Sequence, residues 1–214
     1  MPRPLVVVGG GGFGREVLDI VDAVNAAADQ PPWKVLGVVD DDPSDLNLER
    51  LKQRDVQHMG GIDAYLSVAT EAAYVIGVGA PATRRRLSVR FDDTGHEAAV
   101  LVHPLAVMGA RVEVGPGSVL CAGASVGTNV TIGRHVHLNP HAVIGHDAVL
   151  SDFVSVNPNA TVSGDCTIAH GVLVGAASVV LQGVRVGEGS TIGAAACVVR
   201  DVAAGVIVKG VPAR

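Results

Sequence analysis

Aromatic residues are scarce in this chain of 214 residues, at 3% of the total, although hydrophobic residues as a whole make up 48%. A core of this composition has to be built from Val, Ala, Leu and Ile, which suit thin and regular layers. Charged residues are also few, at 17%, and the formal net charge is −5. No basic run is long enough to form a nucleic-acid surface, so we expect no nucleic acid among its partners.

Long hydrophobic runs are absent from the sequence as well. The stretch PLVVVGG near its start is too short for the hydrophobic region of a secretory signal, and no stretch approaches the roughly 18 apolar residues of a membrane span. Three cysteines, Cys121, Cys166 and Cys197, are widely spaced and odd in number, which suits buried thiols in a reducing compartment. We therefore expect no membrane insertion and a cytoplasmic location.

Strands and helices are predicted to alternate over the first hundred residues. Three runs are typical of buried strands: LVVVG (5–9), KVLGVVD (34–40) and AYVIGVG (73–79). From Phe13 onward, apolar residues recur at helical spacing, and Pro81 suits the first turn of a later helix. This alternation predicts a small parallel sheet covered by helices, a Rossmann-like α/β domain over residues 1–100.

A different period begins at Val102. Every sixth residue from Val102 to Val198 is aliphatic, 17 in succession, and a small or β-branched residue follows each one four positions later. Hexapeptide repeats of this kind predict a parallel β-helix over residues 101–214. Burial of each aliphatic side chain stabilises the fold by about 1.5–3 kcal/mol before ordering entropy is counted. Because three hexads close one triangular coil, residues 18 apart should stack on each other.

His146 and Asp147 occupy the third and fourth positions of their hexad, where side chains face outward or lie at a corner. Their register places Thr128 below His146 and Gly164 above it. From spacing alone, the pair fits either a catalytic base with its acidic partner or an ordinary solvated pair at a corner.

Metal binding is the main chemical alternative for the histidines. His141 and His146 are five residues apart, like two zinc ligands of the γ-class carbonic anhydrases, but the position of that family's remaining ligand holds Leu105, and His103 is out of phase. Catalytic zinc needs three protein ligands, so we predict no metal site. Three further histidines are expected at exposed corners rather than as ligands: His135, His137 and His170.

The glycine-rich GGGGFG segment follows the first strand and precedes a helix. It matches the pattern G-x-G-x-x-G through Gly9, Gly11 and Gly14, and Asp40 follows the second strand. Exposed N–H groups at a helix start suit a pyrophosphate. Since the sheet ends after about half of a full dinucleotide-binding fold, a nucleotide-sugar is favoured over NAD, and a purely structural turn is the third interpretation.

Two groups of basic residues remain open to either interpretation. Arg84, Arg85 and Arg86 fit a solvated helix face better than a phosphate clamp. Lys209 could neutralise a phosphate of coenzyme A or simply lie on the surface.

Taken in order, several motifs resemble one known family. They are VVVGGGGFGREVLDIV, VVDDD, IGVGAPATRRRL, IGHDAVLSDFVSVNPNATVSG and the final GVPAR. The chain resembles the sugar O-/N-acyltransferases of the left-handed β-helix superfamily, which include nucleotide-amino-sugar N-acetyltransferases and sialic-acid O-acetyltransferases of bacterial glycan synthesis. The resemblance implies a left-handed coil, a homotrimer with active sites between subunits, and acetyl-CoA as the acyl donor. It also implies that residues 1–100 hold a nucleotide-sugar and residues 101–214 bind acetyl-CoA and carry catalysis.

The same resemblance implies roles for individual residues. His146 matches the general base and Asp147 the acidic residue that raises its basicity. The substrate-binding positions are Gly11, Gly12, Phe13, Asp40, Asp41, Gly79 and Asn139. The acetyl-CoA-binding positions are Ser155, Gly164, Ala176 and Ala194. Two positions depart from the family, which often has histidine where this chain has Phe13 and Ser155.

The expected function is an acetyl-CoA-dependent N-acetyltransferase that acts on a nucleotide-linked 4-amino sugar in bacterial glycan biosynthesis, by direct transfer. Histidine titrates near neutral pH and can accept the amine proton, a carboxylate can orient its ring, and the backbone N–H of Gly164 can stabilise the oxyanion. The alternatives are O-acetylation of a sugar hydroxyl, as in the sialic-acid enzymes, and a non-catalytic hexapeptide-repeat scaffold.

Overall fold

The computed structural model of the chain describes residues 1–68 and 71–214. Two compact units divide the chain, Met1–Leu101 and Val102–Arg214. None of the helices in the described part of the chain has the length and apolarity that a membrane span requires.

The first unit is built on a parallel sheet of three strands in the order β2-β1-β3. Its strands are β1 (Arg3–Val8), β2 (Trp33–Val39) and β3 (Ala73–Ile76), and its helices are α1 (Gly12–Ala27), α2 (Asp45–Lys52), α3 (Ile62–Leu66) and α4 (Pro81–Asp92). The last four residues of the central strand, Leu5 to Val8, form an apolar run and are 0% exposed, because both faces of the strand are covered there. The predicted α/β arrangement is confirmed.

Helices α2 and α3 were not among the predicted elements. Both are short, at 8 and 5 residues, and each presents few buried apolar residues, so neither produces a helical period in the sequence. Helix α2 begins at a capping residue instead, since the Ser44 hydroxyl accepts a hydrogen bond from the backbone N–H of Asn47.

The second unit is a parallel β-helix with three sheets, formed by strands of two residues each. The seven-stranded sheet contains β4 (Leu101–Val102), β7 (Val119–Leu120), β10 (His137–Leu138), β13 (Ser155–Val156), β16 (Leu173–Val174), β19 (Thr191–Ile192) and β21 (Ile207–Val208). The six-stranded sheet contains β5 (Val107–Met108), β8 (Ser125–Val126), β11 (Val143–Ile144), β14 (Thr161–Val162), β17 (Val179–Val180) and β20 (Cys197–Val198). The five-stranded sheet contains β6 (Glu113–Val114), β9 (Thr131–Ile132), β12 (Val149–Leu150), β15 (Thr167–Ile168) and β18 (Arg185–Val186).

The hexad register is confirmed in every sheet. Strands pair with partners 18 residues away, as Ile144 does with Val126 on one side and Val162 on the other, except that the last strand, β21, pairs with β19 at an offset of 16 residues. All three of these aliphatic side chains are buried, and so is Ala148, four positions after Ile144. Small side chains at that position leave room for the chain to turn inside the coil, so the aliphatic residues fill the interior without aromatic rings.

The corners of the coil are formed by residues in the left-handed backbone region. Ten non-glycine residues of the second unit have a φ between 52° and 61°, and they occupy equivalent places in their hexads. The corner between the six- and five-stranded sheets, called the His146 corner below, has this conformation at Arg111, Asn129, Asp147 and Asp165. The corner between the seven- and six-stranded sheets has it at His141, Asn159, Ala177 and Ala195, and is called the Ala176 corner below.

Candidate functional site

The turn that carries His146 is fixed by its neighbours in the stack. The backbone N–H of Asp147 donates to the carbonyl of Thr128, 2.9 Å away on the preceding coil. The carbonyl of His146 in turn accepts from the N–H of Asp165 on the following coil, also at 2.9 Å. These bonds hold the backbone of the pair between two coils while its side chains project outward.

His146 and Asp147 form a hydrogen-bonded pair on the outer surface of the coil. Nδ1 of the imidazole lies 2.7 Å from Oδ2 of Asp147, and the two side chains are 61% and 44% exposed. The second carboxylate oxygen, Oδ1, accepts a hydrogen bond of 3.0 Å from the amide of Asn129. The Asn129 amide, and after it the His146 ring, holds the pKa of Asp147 below its ordinary value. The carboxylate is thus ionised at neutral pH and bonded at each oxygen.

Gly164 makes room for the imidazole ring. A Cβ atom at this position would lie 2.6 Å from both Cε1 and Nε2 of His146, closer than any side chain allows. The backbone of Gly164 therefore lies against the ring, on the edge that carries the free nitrogen. An imidazole that could act as a base and a backbone segment that could stabilise an oxyanion thus lie side by side, an arrangement suited to acyl transfer.

Asp165 adds a second carboxylate to this corner. Ligand atoms of His146, Asp147 and Asp165 all lie within 4.8 Å of one another, and all three residues are exposed. Three such groups can in general hold a cation. Here Nδ1 of His146 is already bonded to Asp147. An imidazole that accepts a proton through Nε2 needs this kind of bond at Nδ1.

The residues predicted to bind acetyl-CoA do not all lie at the His146 corner. Ala176 and Ala194 are part of the Ala176 corner, on the opposite edge of the six-stranded sheet, where Ala194 is exposed and Ala176 half-buried. Their small side chains leave the backbone of the corner open. Ser155 lies on the seven-stranded sheet and is only 1% exposed, so it offers little surface to a ligand.

Asn139, the position expected near the sugar amine, also lies away from His146. It precedes the Ala176 corner, and its side-chain amide donates to the carbonyl of Val156 at 3.1 Å and to Oδ1 of Asn157 at 3.3 Å. In a single chain these bonds tie Asn139 to the next coil.

In the first unit, the glycine-rich loop brings strand β1 close to the start of helix α1. A Cβ at Gly14 would lie 1.9 Å from the carbonyl oxygen of Gly9, whose φ of 101° itself favours glycine. Gly11 and Gly12 are different, since a Cβ at either would meet nothing within 4 Å. No side chain caps the helix at its N-cap residue, Gly11, and the space where side chains would stand at Gly11 and Gly12 is open.

The two aspartates after strand β2 both bond to the surrounding loops. Asp40 accepts from the backbone N–H of Gly10 at 2.7 Å through Oδ2, and from that of Asp42 at 3.1 Å through Oδ1. Asp41 accepts from the backbone N–H of Ile62 at 2.7 Å and from Arg90 at 2.9 Å. The Arg90 guanidinium and the Ile62 amide lower the pKa of Asp41. The pair therefore shapes the loops around the carboxyl ends of the strands.

The other predicted positions of the first unit lie near the same strand ends. Phe13 is half-buried in the first turn of α1, and Gly79 is exposed after strand β3. The carbonyl of Gly79 accepts a hydrogen bond of 2.9 Å from Arg84.

One of the three arginines at the start of helix α4 lies elsewhere than expected. Arg84 is 0% exposed, so the prediction of a solvated face is wrong for it, whereas Arg85 and Arg86 are exposed. The Arg84 guanidinium donates to the carbonyls that follow strand β3, and burial lowers its pKa to about 9, which leaves it charged at neutral pH.

The prediction of exposed corners is also wrong for His135 and His137, which are 0% and 1% exposed. His135 does lie at a corner, but its ring stacks on Phe153 at 5.3 Å and fills the space above Gly117. His137 belongs to strand β10 rather than to a corner. His170 is half-buried and meets Phe153 edge to face.

The sequence interpretation missed Asn129 and Asp165. Both share a place in the hexad with Asp147, one coil before it and one coil after it. The 18-residue register that identified Thr128 and Gly164 could have found them.

Comparisons with known proteins place the chain among characterised folds. Residues 4–91 match the family described as the PglD N-terminal domain. None of the curated proteins matches the sequence significantly.

Among solved structures, the chain is similar to the acetyltransferase domain of PglB from Neisseria gonorrhoeae in complex with acetyl coenzyme A. The two are 28% identical with a TM-score of 0.86, and the match covers 100% of this chain and 99% of that one. PerB from Caulobacter crescentus, in complex with CoA and GDP-perosamine, is 26% identical with a TM-score of 0.87, over 99% of this chain and 96% of that one. WeeI from Acinetobacter baumannii, at 24% identity and a TM-score of 0.84 over 99% of both chains, supports the shared fold. The coil thus matches a left-handed β-helix, as the resemblance implied.

Proposed function

We propose that the chain is a sugar N-acetyltransferase of the left-handed β-helix family, which transfers the acetyl group of acetyl-CoA to the amine of a nucleotide-linked 4-amino sugar in bacterial glycan biosynthesis. The observation that carries the proposal is the pair of His146 and Asp147, 2.7 Å apart on the outer wall of the coil, with the backbone of Gly164 against the ring. The PerB structure, which holds CoA and GDP-perosamine, supports the choice of both substrates.

In this proposal His146 is the general base. Asp147 bonds to Nδ1, which favours the tautomer with the proton on that nitrogen and leaves Nε2 as the acceptor. As the sugar nitrogen attacks the thioester carbonyl, its proton passes to Nε2, and the developing negative charge on oxygen is stabilised by the N–H of Gly164. The tetrahedral intermediate then expels the CoA thiolate, which takes up the proton held on Nε2 of His146, so the thiol leaves and the imidazole returns to its neutral form. Transfer is direct, without a covalent acyl-enzyme.

The nucleotide-sugar is assigned to the first unit. The start of helix α1 has no side-chain cap and has open space beside Gly11 and Gly12, so it offers a site for its pyrophosphate, because a helix start favours negative charge. Phe13, Asp40, Asp41 and Gly79 lie around the neighbouring strand ends and would contact the nucleoside or the sugar. The matched PglD N-terminal domain covers all of these residues.

Acetyl-CoA is assigned to the second unit, in a homotrimer. His146 and Gly164 lie at one edge of the six-stranded sheet, and Ala176 and Ala194 lie at the other, so one chain cannot bring these two groups into direct contact. A threefold assembly would set the His146 corner of one subunit against another surface of its neighbour, and the site would be completed between them. Asn139 could then reach the amine from the neighbouring subunit, and Ser155 would have at most a minor part. Because acetyl-CoA is the donor and Cys121, Cys166 and Cys197 form no disulfide, we expect a cytoplasmic location.

The acceptor group is tested with a panel of nucleotide-linked 4-amino sugars and matched sugars with a hydroxyl at the same carbon. We expect release of the CoA thiol, with acetyl transfer confirmed by mass spectrometry, for at least one amine and for no matched alcohol. Transfer to alcohols alone would establish an O-acetyltransferase in place of the proposed activity. Absence of transfer together with absence of acetyl-CoA binding would favour a non-catalytic scaffold.

A further inference from the structure

We propose that Asn129 is a positioning residue of the acetyl-transfer reaction, which holds the carboxylate of Asp147 in the orientation that leaves Nε2 of His146 free to accept a proton. The inference deepens the proposed function and rests on it, since it concerns how the catalytic pair is held. Asn129 itself does not touch the reacting atoms in this account.

The geometry divides the carboxylate between two partners. Oδ1 of Asp147 accepts from the Asn129 amide at 3.0 Å, and Oδ2 faces Nδ1 of His146 at 2.7 Å. The χ2 torsion of aspartate has broad preferences, so a single hydrogen bond would leave the carboxylate free to rotate. Bonds at both oxygens fix its plane.

The backbone under both side chains is fixed in the same way. Asn129 and Asp147 have φ values of 56° and 58° at equivalent places on successive coils. The N–H of Asn129 donates to the carbonyl of Ala110 at 2.9 Å, and the N–H of Asp147 donates to that of Thr128 at the same distance. The amide therefore meets the carboxylate with both main chains locked by the stack.

Positioning is needed here because the pair lies at the surface. With its side chain 44% exposed, Asp147 can exchange its bond to the imidazole for bonds to water. Asp165 lies on the other side and repels the same carboxylate, as its ligand atom is within 4.8 Å of those of His146 and Asp147. A neutral donor at position 129 holds Asp147 without adding a third negative charge.

The substitution Asn129→Asp separates this role from a merely structural one. Aspartate has the shape of asparagine and tolerates the left-handed backbone equally well, but it presents an acceptor where the amide donates. We expect kcat to fall about tenfold, as for loss of one hydrogen bond to a charged group, with the KM for acetyl-CoA unchanged. The added negative charge should also move the acid limb of the pH profile of kcat/KM to higher pH, because it favours the protonated form of His146 over the base.

An independent measurement is the titration and tautomer of His146 by ¹⁵N NMR, without substrates. The wild type should show the proton on Nδ1, and Asn129→Asp should reduce that preference and raise the pKa of the ring. Asp147 and Asp165, each with a carboxylate oxygen within 4.8 Å of a ring nitrogen of His146, are retained in Asn129→Asp and in the control variant. The control is Asn159→Asp, the same change at the equivalent place of the Ala176 corner, where φ is 58°, and it should leave the titration of His146 unaltered.

Wild-type kcat in Asn129→Asp would overturn the proposal, whatever the NMR signals show. Equal shifts of the His146 titration in Asn129→Asp and Asn159→Asp would also overturn it, because the effect would then not require contact with Asp147. Failure of the wild type to transfer acetyl groups to any amine would instead refute the proposed function. A loss of kcat in Asn129→Asp, together with an unchanged titration of His146 in Asn159→Asp, would support the positioning role.

Discussion

At the scale of single residues, the account depends on an imidazole that lies against a glycine. Gly164 has no side chain to compete with the ring of His146, and its amide is the proposed oxyanion donor. The same corner gives Asp147 a lowered pKa through Asn129 and the imidazole. This contribution to stability is present above the ordinary pKa of an aspartate and is lost as the pH falls through the lowered value.

The substitution Gly164→Ala tests the contact directly. The new Cβ would lie 2.6 Å from Cε1 and Nε2 of His146, so the ring has to move, whereas the backbone here does not require a positive φ. A shift of about 1 Å in a catalytic group can reduce turnover roughly a hundredfold. We expect a loss of kcat of about that size.

The thermal midpoint of Gly164→Ala serves as the control and should change little, because the exposed ring can swing toward solvent. Unaltered kcat in this variant would show that the imidazole does not work from the position seen in the structure.

At the scale of elements, the hexads made the second unit predictable in detail. A strict period of six assigns each residue a place inside or outside the coil, and the 18-residue repeat placed Gly164 next to His146 correctly. The same register places Asn129 one coil before Asp147, but a neutral amide at an exposed corner carries no signal of its own in the repeat. The 18-residue register places Phe153 one coil after His135, but the burial of His135 was missed because the aliphatic pattern of the hexads predicts exposed side chains at the corners.

The first unit was less predictable, because its loops depend on contacts distant in sequence. The sequence placed Asp40 and Asp41 after a strand, but nothing local shows that their carboxylates bond to Gly10 and Ile62. Arg84 was misassigned for a related reason. A run of three arginines on a helix suggests solvent, whereas one of them is directed back to the carbonyls after strand β3.

At the scale of the whole molecule, the proposed trimer predicts sites shared between chains. His146→Ala should be inactive for lack of a base, and Ala194→Trp should be inactive because a bulky side chain blocks acetyl-CoA at the opposite corner. Sedimentation should show trimers for both variants. In trimers assembled from an equal mixture, about a quarter of the sites receive both intact corners by random association, so a corresponding fraction of activity should return.

A monomer in sedimentation would contradict the shared site. So would a mixed trimer that stays inactive after exchange of subunits has been demonstrated with differently tagged chains.

The most direct test of the central claim is the rate of acetyl transfer to a nucleotide-linked amino sugar by His146→Ala, compared with the wild type at saturating substrates. General bases contribute about 10²- to 10⁴-fold, so we predict a loss in that range, while binding of acetyl-CoA measured by calorimetry stays near the wild-type value. Turnover of His146→Ala equal to that of the wild type would contradict the account.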